Sequence, residues 1–486
     1  MAEDFQGILR AIKSGRDAAL VKSRIYEATE PIFFQKDGQK IYTKGAGRIS
    51  EYAVLRIANP ECGQIINSNS KSGILIENVV LDGNRYKLPP FEGKGQEMVW
   101  LGGNSANQTI KNCVLINART WSSIKVNEGA NGARVENLII FGSGVDARGN
   151  GRRDGETPFK WGDGIGCGAK NTKIANNIIV DATDGGIVLF SAPGTLVKNN
   201  AIAAVSRELL GGINLVDGLY CYEVDKIDAM LEGPDATRKY DYSVSVENNL
   251  IDAAGARIHV AVPMGACIWN PKTKPYKLFL GAKITDNELA GDASAYGFVM
   301  SGVDGFEVAG NKSGGKNSGY ADGLRSVLCD EPGAFIYDPQ SVSNSKIQKD
   351  FKPVERSIEH LLRCNHGPTS AGGFFKGYRA YSYGEAEREA VVKMAFLEML
   401  GRAPSDLELK KYSDLINEKQ MPADELRCLL AQTEDFTGKN GKVGREDLHM
   451  FRTSKWLRIF DDIIGTNPDW DAKSVYKDAL KRLKSK

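Results

Sequence analysis

Residues 155–215 read GETPFKWGDGIGCGAKNTKIANNIIVDATDGGIVLFSAPGTLVKNNAIAAVSRELLGGINL, and one phrase recurs in them three times: Asp163-Gly164-Ile165, Asp184-Gly185-Gly186-Ile187 and Gly211-Gly212-Ile213. Between these lie two copies of a second phrase, Ile174-Ala-Asn-Asn-Ile178 and Val197-Lys-Asn-Asn-Ala201. Ile165 and Ile187 are 22 residues apart, and Asn177 and Asn200 are 23 apart. A period of that size means one supersecondary unit stacked on the next.

Working outward, the second phrase recurs along much of the chain. It appears at Ile76–Asn78, Ile110–Asn112, Val135–Asn137, Ile174–Asn177, Val197–Asn200, Val246–Asn249, Ile284–Asn287 and Val308–Asn311. Each copy alternates apolar and polar residues, which puts one face inside. Each then places Asn at a bend, because Asn tolerates the left-handed backbone and bonds nearby peptide groups. An Asn at the same place in every rung predicts a ladder of amides. Three of the gaps between copies are 23 to 25 residues, one bare rung. The longer gaps carry insertions at 83–100, 142–162, 217–243 and 263–280, rich in charge and aromatics. In repeat proteins such insertions gather on one side and build the binding face.

The ends read differently. Residues 3–22 predict an amphipathic helix with Phe5, Ile8, Leu9 and Ile12 on one face, followed by short strands at 23–26, 32–34, 41–43 and 54–57. A helix there suits the cap that the open end of a solenoid core needs. After about Gly315 the repeat fades, and from Gly384 the spacing turns helical. Ser405-Asp-Leu-Glu408 predicts a capping box, and Asn467-Pro468 the start of a last helix. The expected division is therefore 1–60 cap and first strands, 61–320 solenoid, 321–383 connection and 384–486 a separate all-α domain.

The 486 residues carry 63 Lys plus Arg against 61 Asp plus Glu, so global charge gives no reason to expect nucleic acid or a membrane surface as partner. Neither an apolar signal region at the N-terminus nor a membrane-length apolar run is found, so the expectation is a protein not exported by the common signal-peptide route. The eight cysteines are scattered, with no zinc spacing, and read as buried free thiols of a reducing compartment.

On the repeated Ile/Val-x-Asn-Asn-x-Ile phrase, the Asp-Gly-Ile pieces and the N-terminal helix with its strands, residues 1–320 resemble the pectin-lyase-like superfamily. The resemblance implies an all-β right-handed parallel β-helix with an N-terminal capping helix, followed here by the all-α domain. It also implies a polysaccharide partner, acidic or complex. Members include polysaccharide lyases and epimerases, polygalacturonase-like glycosidases and phage tailspike depolymerases; trimerisation is an analogy with the phage spikes. The expected lack of a signal peptide fits a phage tail component, a leaderless secreted protein or a cytoplasmic enzyme. Residues 388–437 resemble a small bacterial helical module with a Leu-Gly-Arg-x-x-x-Asp signature, here Leu400-Gly401-Arg402 to Asp406. An Arg402–Asp406 pair locking a helix turn is the structural expectation for it.

In stacked strands neighbouring rungs lie roughly 4.8 Å apart. Asp163 and Asp184 are thus expected side by side, the paired carboxylates that glycoside hydrolysis needs. The rival reading is an Asp-Gly turn in each case. Against the polygalacturonase-like pattern, Asp163 and Asp184 match, Gly185 and Gly211 replace an Asp and a His, and Arg257-Ile258-His259 keeps the Arg and replaces a Lys. Arg257 and His259 are two apart and would share a strand face, as carboxylate binder and proton-transfer group. An elimination reaction would draw instead on Arg152, Arg153 and Lys160, with Asp154 and Glu156 as ligands of a Ca²⁺ ion; otherwise no cofactor is expected. Trp121, Trp161, Tyr220 and Trp269 lie in or beside insertions and offer flat rings to sugar faces. The alternative from another class is a non-catalytic carbohydrate-binding or structural spike.

Overall fold

The computed structural model describes the chain except Met1 and residues 90, 92–96, 145–161, 217–237, 266–267, 269–276, 318–332, 355–383, 420 and 485–486. Short strands pair only in parallel, and they stack into three long sheets of 11, 10 and 11 strands, one strand of each per turn of the chain. The molecule is a parallel β-helix followed by a helical region.

Sheet 1 holds the repeated phrase. Ile76, Ile110, Val135, Ile174, Val197, Val246, Ile284 and Val308 stand in register in one inward column, and all are buried. Each strand here is three residues long, and its central residue is the one that faces the core. The chain then turns toward sheet 2 through one residue in left-handed backbone: Asn78, Asn112, Asn137, Asn176, Asn199, Asn248 and Asp286, at φ of 51 to 58°. The following residue points inward. In early rungs it is apolar (Cys113, Leu138); in later ones it is Asn177, Asn200, Asn249, Asn287 and Asn311. These five form the buried ladder, each Nδ2 donating to the next Oδ1 at 2.9 Å, and Gln348 closes it. The sequence reading aligned Asn137 with Asn177; the register aligns Asn137 with Asn176, because the lone Asn of an early rung is the left-handed one.

The helix α1 (Phe5–Lys13), capped by the Asp4 side chain, lays Phe5, Ile8, Leu9 and Ile12 on the first rung. At the other end the strands run past residue 320, through Phe335–Tyr337 to Lys352–Pro353. They escape the sequence pattern because two-residue strands carry no periodicity.

Six further helices are described: α2 (Glu385–Leu400), α3 (Asp406–Lys419), α4 (Ala423–Leu430), α5 (Glu434–Asn440), α6 (Arg445–Ile464) and α7 (Ala472–Lys484). The Ser405–Glu408 capping box forms. Helix α7 is capped by Asp471, while Asn467 closes a turn before it. Arg402 pairs with Glu408 and Asp435 rather than with Asp406, tying α3 to α5.

These helices pack directly on the solenoid. The outer face of sheet 2 is itself apolar, carrying Val114, Ile116, Ile139, Phe141, Ile178 and Val180, and it is covered by Trp456, Phe460, Trp470 and Tyr476 of the helical region. Buried charge joins the two parts. Glu398 on α2 receives Arg427 and Arg452, and Arg452 also faces Asp181 of the solenoid at 3.5 Å. Those two guanidinium groups hold the Glu398 carboxyl down at about 2 against the cost of its burial.

Candidate active site

Sheet 3 carries the Asp-Gly-Ile phrases. Ile124, Ile165, Ile187 and Ile213 form its inward column. Two residues before these come Ser122, Asp163, Gly185 and Gly211, again in register. Glu97 stands on the rung before Ser122, where Met98 N–H donates to the Ser122 carbonyl.

Asp163 is buried, and its Oδ1 accepts the Gly185 N–H at 3.0 Å. Asp184 is half-buried, one residue before Gly185, and its own carbonyl accepts two N–H groups from the next rung. The two carboxyls interact, and both hold their protons more tightly than an ordinary Asp. For Asp163 the cause is burial, opposed by the Gly185 N–H, Lys125 and Ser122. For Asp184 the causes are burial first and then the charge of Asp163. Two like charges in one dry site cannot both ionise at low cost. Asp184 directly precedes Gly185, the residue whose N–H meets the Asp163 carboxylate.

The rest of the site is made of residues the sequence did not single out. Ser122 Oγ donates to Asp163 Oδ2 at 3.4 Å. Lys125 lies opposite Gly166 with its ammonium 3.7 Å from the Phe190 ring centre. A Cβ on Gly166 would sit 3.2 Å from the Lys125 stem and 3.4 Å from Asp163 Oδ2, so the glycine lets both side chains lie over it. Glu97 is buried, with one carboxylate oxygen, Oε2, lacking a hydrogen-bond partner among the described residues, and burial pushes its carboxyl up to about 7. Asn214, one rung beyond Val188, is buried with Oδ1 likewise unpartnered.

Asn214 also explains the glycines that stand in place of an Asp and a His. A Cβ on Gly211 would fall 1.6 Å from Asn214 Oδ1, and one on Gly185 would fall 2.9 Å from Asn214 Nδ2 and 2.1 Å from Val188 Cγ2. Neither position has room for a side chain. Glycine here is a steric requirement of the Asn214 amide leaning back toward Asp163.

Arg257 does not join this group. It is fully buried, and its Nε and Nη2 donate to the two carboxylate oxygens of Glu387 at 2.8 and 2.7 Å, fastening the solenoid to the start of α2. Its expected role as carboxylate binder is corrected: a guanidinium in a fork with a buried carboxylate is not presented to a ligand. His259, one residue before the Gly211–Val260 pair, is buried with Nε2 3.3 Å from Glu208 Oε2. Trp121 is half-buried at the edge of the site, and its carbonyl accepts the Asp163 N–H at 2.7 Å. Arg152, Arg153, Lys160, Trp161, Tyr220 and Trp269, with Asp154 and Glu156, lie outside the described residues. Among the described residues no three His, Cys, Asp or Glu side chains converge as a metal site. Cys62, Cys113, Cys167 and Cys428 are buried free thiols.

The chain is similar to several solved β-helix structures at low identity. The A-module of mannuronan C-5 epimerase AlgE6 from Azotobacter vinelandii is 12% identical over 71% of this chain and 94% of that one, with a TM-score of 0.35. PfbA, a surface adhesin of Streptococcus pneumoniae, is 11% identical over 72% and 87%, at 0.39. The tailspike of Escherichia coli bacteriophage HK620, solved as a mutant with a pentasaccharide, is 13% identical over 71% and 67%, at 0.34. No protein-family model matches the chain, and no curated protein matches it.

Proposed function

We propose that this protein cleaves glycosidic bonds in an acidic or complex polysaccharide, with Asp163 as nucleophile and Asp184 as acid–base catalyst. The observation that carries the reading is the pair itself: two interacting carboxyls on consecutive rungs, both holding protons above the usual Asp range. Their surroundings divide the roles. Asp163 has an N–H donor and a nearby ammonium to support its anion, so it is the carboxylate. Asp184 has its proton held by burial and by the neighbouring negative charge, so it is the general acid.

In the reaction Asp184 gives its proton to the glycosidic oxygen as the C–O bond breaks. Asp163 meets the anomeric carbon from the other side, and water then displaces it while Asp184 takes back a proton. This retaining course needs carboxyls about 5–5.5 Å apart, and a separation of about 6.5–9.5 Å would make the reaction inverting. Lys125 supplies a cation for a uronate carboxylate, and Trp121 a ring at the edge of the site.

The test is a panel of neutral and uronate-containing polysaccharides, assayed for new reducing ends and for the ultraviolet absorbance of unsaturated uronates. Reducing ends without that absorbance, on at least one uronate-containing polymer, are the expected result. The absorbance would replace hydrolysis by elimination. Saccharide binding with no new ends on any polymer would replace the enzyme by a binding protein.

A further inference from the structure

Two buried polar groups of sheet 3 take no part in the proposed reaction. Glu97 stands two rungs before Asp163, with Ser122 between them. Asn214 stands two rungs beyond, with Val188 between. In backbone position each is thus roughly 10 Å from Asp163 along the solenoid, on opposite sides.

Both side chains are more than nine-tenths buried, and each has one oxygen, Glu97 Oε2 and Asn214 Oδ1, without a hydrogen-bond partner among the described residues. A buried acceptor left unpaired costs stability, and packing alone would be served better by an apolar side chain of the same shape. Their places are nevertheless fixed by other residues. The Glu97 carbonyl accepts Gln64 Nε2 at 3.2 Å, and Gln64 Oε1 in turn accepts Asn67 Nδ2 at 2.9 Å. Two glycines make room for Asn214. A Cβ on Gly185 would lie 2.9 Å from Asn214 Nδ2 and 3.2 Å from Asp163 Oδ1, so the donor end of the amide faces the carboxylate while its Oδ1 lies over Gly211. The Glu97 carboxyl belongs to the same neighbourhood: after burial, the charges acting on it are those of Lys125, Asp163 and Glu128.

What both oxygens lack is a donor, and the donors of a glycan are its hydroxyls. We propose that Glu97 and Asn214 are specificity-determining residues, each accepting a free sugar hydroxyl on one side of the bond held at Asp163, so that the substrate is a uronate polymer without acyl groups on those hydroxyls. This rests on the polysaccharide reading above. An acylated oxygen has no hydrogen to give and leaves the buried acceptor unpaired, and a site built around a hydroxyl rejects the analogue lacking it for that reason. A polymer made in acylated form would need ester hydrolysis to supply this substrate.

Calorimetric titration tests this with hexamers of galacturonate, glucuronate and mannuronate, each unmodified and O-acetylated, on the Asp184→Asn background so that the ligand survives. At about pH 8, above the value of about 7 to which burial pushes Glu97, its carboxylate accepts only. At least one unmodified hexamer is expected to bind, and its acetylated form about tenfold or more weaker. Glu97→Met and Asn214→Leu keep the shape and remove the acceptor. Each is expected to weaken the unmodified hexamer by about tenfold and to narrow the gap between the two forms. Each should also leave the urea midpoint unchanged or raised, because an unpaired buried group is removed, where a structural role would lower it. Equal or tighter binding of the acetylated forms, a gap that both substitutions leave unaltered, or a lowered midpoint in both would overturn the proposal and leave the polysaccharide reading standing. No binding of any hexamer would overturn it together with the uronate reading of the site.

Discussion

Asp163 works against the stability of the protein that carries it. A carboxyl whose proton affinity is raised on folding gives the native state more bound protons than the unfolded one, so stability falls as pH rises through the window between the two values. For Asp163 that window runs from the ordinary 3.8 to about 6. Above it the ionised, buried group is a net cost. Asp163→Asn keeps an acceptor for the Gly185 N–H and removes the charge, so at about pH 8 it should stabilise the protein by about 1–3 kcal/mol, an advantage that shrinks toward about pH 4. Urea unfolding of both proteins at the two pH values measures it. A destabilising substitution at both would mean that the carboxylate is a structural cap. Asp163 and Asp184 were visible in the sequence because a turn phrase repeats around them. Ser122 and Glu97 were not, since partners across rungs lie far apart in sequence; Ser122 and Asp163 are separated by 41 residues. Arg257 misled for the same reason, its true partner Glu387 being 130 residues away.

At the scale of the element, the Asn ladder shows how a short strand is held. Asn200 Oδ1 accepts both the backbone N–H and the side-chain Nδ2 of Asn177. Its own Nδ2 donates to the Ile174 carbonyl and to Asn249 Oδ1. Removing that amide strands buried donors and acceptors on both sides, each costing about 1–3 kcal/mol. Asn200→Ala should therefore lower stability by about 2–4 kcal/mol, read from the urea midpoint. A loss under about 0.5 kcal/mol, the size of an ordinary surface change, would deny the ladder its role. The ladder was legible as a recurring Asn, but its phase was not. In an Asn-Asn pair nothing in the sequence says which residue takes the left-handed turn. The rungs with one Asn settle it, because Asn112 and Asn137 have positive φ and Cys113 and Leu138 fill the inward place.

Across the whole molecule, the solenoid and the helices form one hydrophobic structure. The clue was present in strands such as Ile139–Phe141 and Ile178–Val180, which are buried on both faces. A strand of a simple solenoid needs one apolar face, so the second one signals a cover. Here the cover is the helical region, with Trp456 at its centre. The helices leave sheet 3 to the site, and the glycines at 166, 185 and 211 give its carboxylates, ammonium and amide their places. The proposed hydrolysis depends on the Asp pair. Its most direct measurement is the rate of reducing-end release by the wild-type protein, Asp163→Asn and Asp184→Asn on the polymer that the wild type cleaves best. Each substitution should lower the rate by about 10²-fold or more, with substrate binding retained. Wild-type rates in both would contradict it.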